Sequence, residues 1–243
     1  MKRWTPQEYF KENTAVRLAP PSPDYWIPPG ASIGKRDFPF ASKASERGFV
    51  IAYGRRIPYE SRLERGFILA YLAQRATKSV IEQSPRFEYF DEDGVFHEHV
   101  FDLLVTRHDG QRFAVDVKPH DKLASSSLKA LHDRIAPQMS PDIANELLIV
   151  TEKRLSRADR YNYDLYYAVH REPWPEDDAV IAALIKKLNG PTPIEKIVEK
   201  SKLDGYGFNA VVRAIAAGRL DLVKPRDVLV THDVMVIRPP DIG

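Results

Sequence analysis

The stretch from Phe101 to Lys118 limits the possible folds of this chain more than any other. It reads Phe101-Asp102-Leu103-Leu104-Val105-Thr106-Arg107, then His108-Asp109-Gly110, then Gln111-Arg112-Phe113-Ala114-Val115-Asp116-Val117-Lys118. Two apolar runs around an Asp-Gly turn signal predict a β-hairpin. With His108-Asp109-Gly110 as the loop, Arg107 pairs with Gln111 and the glycine takes the left-handed position such loops favour. Continuing the ladder sets Val105 against Phe113, Leu103 against Val115 and Phe101 against Val117, all on one face. The other face then carries Asp102 opposite Asp116, with Lys118 two residues further along. A shorter loop would slip the register by one and oppose apolar with polar side chains, so the pattern itself brings the two carboxylates together.

Carboxylates facing each other across strands repel. A divalent cation neutralises such a pair, and oxygen ligands suit Mg²⁺ or Mn²⁺. Lys118 on the same face would stabilise charge developing on a phosphoryl oxygen or orient a water, and the Val117 carbonyl is a further oxygen for the metal. Together these groups are the parts needed to hydrolyse a phosphodiester. An alternating Asp/Lys face also suits the solvated side of an antiparallel hairpin. Against that, an Asp and a Lys among valines are unusual on a buried strand.

Around the hairpin the periodicities predict a mixed α/β domain. A helix starts near Glu60, with Leu63, Phe67, Ala70 and Tyr71 at helical spacing. Strands are expected over Phe87 to Phe90, Val95 to Thr106, Arg112 to Lys118 and Glu146 to Thr151. Helices are expected over Leu123 to Ile135 and Arg157 to His170. Residues 1–50 read as a proline-rich arm with a basic second half, residues 51–172 as the α/β domain, and Pro173-Trp174-Pro175 as a boundary. Residues 173–243 offer three helices, the last over Phe208 to Ala217 and closed by Gly218. A hairpin of Val228 to Thr231 with Val234 to Arg238 follows, which is the layout of a winged helix. The absence of cysteine excludes disulfides, thiolate zinc sites and cysteine nucleophiles, and fits a reducing cytoplasm. No apolar run reaches the length of a membrane span, and no signal-peptide core follows the basic start. A net charge of +2 neither supports nor opposes binding to nucleic acid.

The Asp102 and Asp116-Val117-Lys118 pattern resembles the PD-(D/E)xK nuclease superfamily, whose fold is the restriction-endonuclease-like mixed sheet flanked by helices. With Tyr59-Glu60-Ser61-Arg62-Leu63-Glu64-Arg65 ahead of it, the stretch from about residue 50 to 155 is similar to the TnsA-type transposon endonucleases. Phe101 stands where the superfamily's name has proline. Asp116 stands where the TnsA-type enzymes often have Gln. The resemblance implies an Mg²⁺- or Mn²⁺-dependent endonuclease that cuts double-stranded DNA at transposon ends in a prokaryotic cytoplasm. It would work beside a DDE-type transposase and an ATPase regulator. The resemblance further implies a third acidic ligand from the first helix: Glu64, with Glu60 one turn earlier as the fallback. Ser61-Arg62-Leu63-Glu64 also reads as a capping box, and Glu60 as a residue stabilising the helix dipole. A restriction or repair nuclease of the same fold, or a non-catalytic DNA-binding or assembly subunit, are the alternatives.

Further DNA contacts are expected from Lys122, Lys129, His132 and Arg134 after the hairpin, and from Asn209 and Arg213 on the helix in the recognition position. For the first group a solvated charged face is the simpler account. His97 and His99 share a strand face and read as a solvated edge more readily than as metal ligands. His120 follows Lys118 closely and is a weaker candidate for contact near the site. Tyr161, Tyr163, Tyr166 and Tyr167 read as core and interface.

Overall fold

The computed structural model describes residues 28–35, 46–171, 173–225, 227–230 and 234–239. The chain is mixed α/β. Its centre is a four-stranded sheet of β3 (Thr77–Glu82), β6 (Leu103–Arg107), β7 (Arg112–Val117) and β8 (Glu146–Val150), in that spatial order. β3, β6 and β7 are antiparallel neighbours, and β8 joins β7 in parallel after a helical crossover. Two further hairpins flank the sheet: β1 (Gly48–Ala52) with β2 (Arg55–Tyr59), and β4 (Arg86–Phe90) with β5 (Phe96–Val100).

The central hairpin pairs Leu103 with Val115 and Val105 with Phe113, and the Arg107 N–H donates to the Gln111 carbonyl at 2.8 Å. Gly110 has φ +89°, the left-handed conformation the loop needs. Leu103, Val105, Val115 and Val150 share one core with Phe67, Ile68, Leu69 and Ala70 of α1 (Arg62–Ala73). Burying side chains of this size contributes roughly 1.5–3 kcal/mol each. A one-residue slip would forfeit several such terms together, so the register is fixed by the core. Leu104 and Ala114 point to the opposite face, where they meet Phe87, Tyr89, Phe101 and Ile135. That face is covered by β4–β5 and by α3 (Leu128–Ile135), which follows the short α2 (His120–Leu123). The expected single helix over Leu123 to Ile135 is thus two pieces, broken around the serines at 125–127.

α1 is capped by Ser61, whose Oγ accepts the Glu64 N–H. α4 (Arg157–His170) opens with a full capping box from Ser156 and Asp159 and occupies the span its periodicity predicts. Three of its tyrosines divide between two cores: Tyr163 and Tyr167 pack toward the sheet, whereas Tyr166, with Leu165 and Val169, packs on the C-terminal elements; Tyr161, expected as core or interface, is exposed to solvent. The helix therefore joins the two parts of the chain, on either side of the expected boundary at Pro173.

The C-terminal elements run α5 (Pro175–Ile185), β9 (Thr192–Pro193), α6 (Ile194–Ser201), α7 (Gly205–Ala216), β10 (Asp221–Leu222) and β11 (Met235–Ile237). β11 lies between β10 and β9 in a small antiparallel sheet. α7 ends at Gly218, which has φ +75° and whose N–H reaches the Ile215 carbonyl at 2.9 Å. The three expected helices are present, but the terminal hairpin is built differently. Val228 to Val230 form no strand, and the partner of β11 across the turn is Asp221–Leu222.

Three further expectations are corrected. Residues 48–50 belong to the β1–β2 hairpin and not to the arm, and β3 was not anticipated. Of the arm's described part, Gly30 bridges to Arg55, and Ser32, Ile33 and Gly34 all donate to the buried Glu82 carboxylate. Trp26, Arg36, Phe38, Phe40 and Lys43 lie outside the described residues. The expected strand over Val95 to Thr106 is interrupted at Phe101-Asp102, and this interruption shapes the site.

Candidate functional site

The β6–β7 ladder closes at Leu103 and Val115, and the chain bends at Asp102. Tertiary hydrogen bonds hold the bend: the Gln83 N–H donates to the Asp102 carbonyl at 2.7 Å and the Phe101 N–H to the Pro85 carbonyl at 3.1 Å. Two consequences follow. Phe101 leaves the face it was expected to share with Leu103 and is fully buried in the opposite core. The Asp102 side chain turns back across the open end of the hairpin, where its Oδ2 accepts the Val117 N–H at 2.7 Å. Val117 thus meets Asp102 through its amide.

Asp102 is in an anionic environment. Burial, then the nearby Glu64 carboxylate, raises its carboxyl from the ordinary 3.8 to about 7. Asp116 adds to the rise, while the Val117 amide and His99 oppose it. Glu64, in the first turn of α1, is thus near enough to Asp102 to act on its charge. Its capping role is present as well. Its Oε2 accepts the Glu60 N–H at 2.9 Å and its Oε1 accepts the Ser61 hydroxyl at 3.1 Å. Glu60 itself enters this arrangement through its backbone amide. Lys118 is half-buried two residues beyond Asp116, its amide bonded to the Val150 carbonyl at 3.0 Å. No ion pair of its ammonium is found among the described residues.

Asp116 is satisfied quite differently. It is buried, and its Oδ2 accepts Nε2–H from both His132, at 2.7 Å, and His99, at 2.9 Å. Burial pushes this carboxyl up, but the hydrogen bonds from His132 and His99 and the electrostatic attraction of the two imidazoles outweigh it and hold the group below the ordinary value. Phe101 packs edge-on against both imidazoles, with ring centroids 4.6 Å from His99 and 5.6 Å from His132. The bend that points Asp102 across the hairpin therefore also wedges a phenyl ring behind the histidines. Neither histidine's partnership was legible from spacing. His99 reaches Asp116 from β5 and His132 from α3, across gaps only tertiary packing closes. His97 behaves as the solvated edge expected, paired with Asp91 at 2.8 Å and stacked on Tyr89.

The remaining expected DNA contacts divide clearly. Lys122 on α2 and Lys129 on α3 are exposed on the elements next to the site. Arg134 pairs with Glu92 at 3.2 Å, and His120 lies against Lys153 with its backbone N–H donating to the Glu152 carboxylate at 2.9 Å. Arg213 is not available: its side chain is 10% exposed and its Nε donates to Asp178 at 2.7 Å. Asn209 is half-buried on the same helix. α7 packs against α4, α5 and α6 and buries Ala210, Val211, Val212, Ala214 and Ile215, while Tyr206, Phe208 and Asn209 stay partly exposed.

Comparison with known protein families and with curated proteins finds no match for this chain.

Proposed function

We propose that this chain is a metal-dependent DNA endonuclease with a restriction-endonuclease-like core, acting at transposon ends. The observation that supports this best is the pair of carboxylates, Asp102 and Glu64, brought together at the open end of the hairpin beside Asp116 and Lys118. Burial and Glu64 together raise Asp102 to about 7, so the site is short of positive charge. A divalent cation fits that deficit, and the all-oxygen donor set of Asp102 and Glu64 suits Mg²⁺ or Mn²⁺. Bound there, the ion would act as a Lewis acid on a phosphodiester and lower the pKa of a coordinated water. The chain's own groups do the rest. Asp102 is fixed by the Val117 amide, Glu64 by the cap of α1, and the Lys118 ammonium, without an ion pair among the described residues, would meet a phosphoryl oxygen. Lys122 and Lys129 would attract the DNA backbone, a contribution that weakens with salt.

The C-terminal order of helix, strand, two helices and a hairpin, with β9 paired to β11, supports a winged-helix reading. Because Arg213 is tied to Asp178 and Asn209 is half-buried, this unit suits docking to a protein partner better than reading bases. A DDE-type transposase, with an ATPase regulator, is the partner we propose, in a prokaryotic cytoplasm.

The test is strand cleavage of duplex DNA by the full chain in Mg²⁺ or Mn²⁺, alone and with a transposase partner, alongside metal binding by calorimetry. We expect metal-dependent cleavage that Asp102→Ala abolishes and Lys118→Ala slows by about 10²–10³. Cleavage unchanged in Asp102→Ala would sink the reading. A second reading, a non-catalytic assembly subunit, is favoured by one observation: Asp116 Oδ2 is already occupied by two imidazoles. Metal binding without cleavage of any duplex would support it.

A further inference from the structure

The His99, Asp116 and His132 cluster is not part of the oxygen site just described, and its geometry is unusual for simple charge neutralisation. A carboxylate has two oxygens, and two donors would ordinarily be shared between them. Here both Nε2 atoms converge on the same oxygen, Oδ2. One ligand atom from each of the three residues lies within 4.8 Å of the other two. The cluster is largely shielded: the side chains of Asp116, His132 and His99 are 6%, 9% and 19% exposed. Phe101, itself fully buried, lies against both imidazoles, so ring orientation is set by packing as well as by the carboxylate.

We propose that His99, Asp116 and His132 form a binding site for a borderline transition ion, with Zn²⁺ the best chemical fit. Two imidazole nitrogens and one carboxylate oxygen suit zinc, and three protein ligands leave a position for water. Zinc bonds to nitrogen and oxygen of about 2.0–2.2 Å place tetrahedral ligand atoms about 3.3 Å apart. The present contacts of 2.7 and 2.9 Å would open by roughly half an ångström to admit the ion. The donated Nε2 protons must move to Nδ1 for the nitrogens to bind metal. No protein group opposes this, since neither Nδ1 has a hydrogen bond among the described residues. His99, the most exposed of the three, gives the route of entry. The inference does not require the chain to cut DNA, and its readout is metal binding alone.

The experiment titrates Co²⁺, a spectroscopic substitute for zinc, into the metal-free full chain with excess Mg²⁺ present to occupy the oxygen site. One equivalent should bind with the intense visible bands of four- or five-coordinate cobalt, and Zn²⁺ should displace it. His99→Ala should weaken binding by more than the roughly 10–100-fold that loss of an outer-sphere partner costs. Asp102→Asn should retain the spectrum. No binding in the wild type overturns the proposal, as does equal affinity in His99→Ala or loss of the spectrum in Asp102→Asn. If the histidine variant fails to fold, the wild-type cobalt form decides by itself. Its proton NMR spectrum should show two hyperfine-shifted, exchangeable imidazole N–H signals, and their absence would reject the site.

Discussion

Asp102 and Asp116 lie at the same end of one hairpin, yet their carboxyls are driven in opposite directions. Asp102 is raised to about 7 and Asp116 is held below its ordinary value. Burial acts upward on both, so burial does not explain the difference. What differs is the neighbour. Asp102 looks toward Glu64 on α1, whereas Asp116 looks toward His132 on α3 and His99 on β5. The sheet separates an acid-rich side in need of a cation from an imidazole-rich side that supplies hydrogen-bond donors. Charge state in this site is thus set by which helix packs on which face.

The largest expected effect comes from removing the anomalous charge. With a folded value near 7 against 3.8, Asp102 binds its proton more tightly folded than unfolded. Its contribution therefore falls as pH rises from about 4 to about 7 and stays constant above, a cost of roughly 4 kcal/mol. Asp102→Asn keeps an oxygen for the Val117 amide and removes the charge. In chelator, urea unfolding should show this variant more stable than wild type by roughly 4 kcal/mol at pH 8, and by little at pH 4. An equal difference at both pH values would mean Asp102 is not raised.

The opposite side should respond in the opposite sense. His132→Ala leaves a buried carboxylate with one imidazole in place of two, and should cost about 3 kcal/mol near neutrality. His99→Ala should cost less, because His99 is the more exposed partner. Asp116 is depressed, so its stabilisation is present above 3.8 and lost as pH falls through its folded value. The penalty in His132→Ala should fade on acidification, where the unpartnered carboxyl takes up a proton. A penalty that grows at low pH would break the contrast between the two aspartates.

How much of this was legible follows from the range of each interaction. The hairpin register was readable because period-two alternation and burial act within a few residues, and Val105 against Phe113 admits no slip. α4 was readable because Ser156 and Asp159 mark its start and its apolar spacing is regular. The bend at Phe101-Asp102 was not, since nothing local interrupts the apolar run; Gln83 and Pro85 make it from the loop between β3 and β4. The histidine pairings fail the same way. The pairing of Arg213 was hidden too: it looks like a DNA contact until α5 supplies Asp178. At the C-terminus Val228 to Val230 carry a strand pattern, but a two-residue strand, Asp221–Leu222, is too short to announce itself.

The smallest expected effect tests the link between the helix cap and the acidic side. Ser61 Oγ accepts the Glu64 amide and donates to the Glu64 carboxylate, so one hydroxyl both starts α1 and steadies a candidate ligand. Ser61→Ala should cost about 1 kcal/mol, the usual loss for an N-cap. The loss should be similar at pH 5 and pH 8, because the Glu60 amide still holds the Glu64 carboxylate. Glu64→Gln removes the second-largest influence raising Asp102. It should flatten the fall in stability between about pH 4 and 7. Unfolding measured for both variants at both pH values separates the two roles of this glutamate. A Ser61→Ala loss of a few tenths of a kcal/mol or less would mean the cap does not hold Glu64. Unaltered pH dependence in Glu64→Gln would mean that the acidic side is made by burial of Asp102 alone.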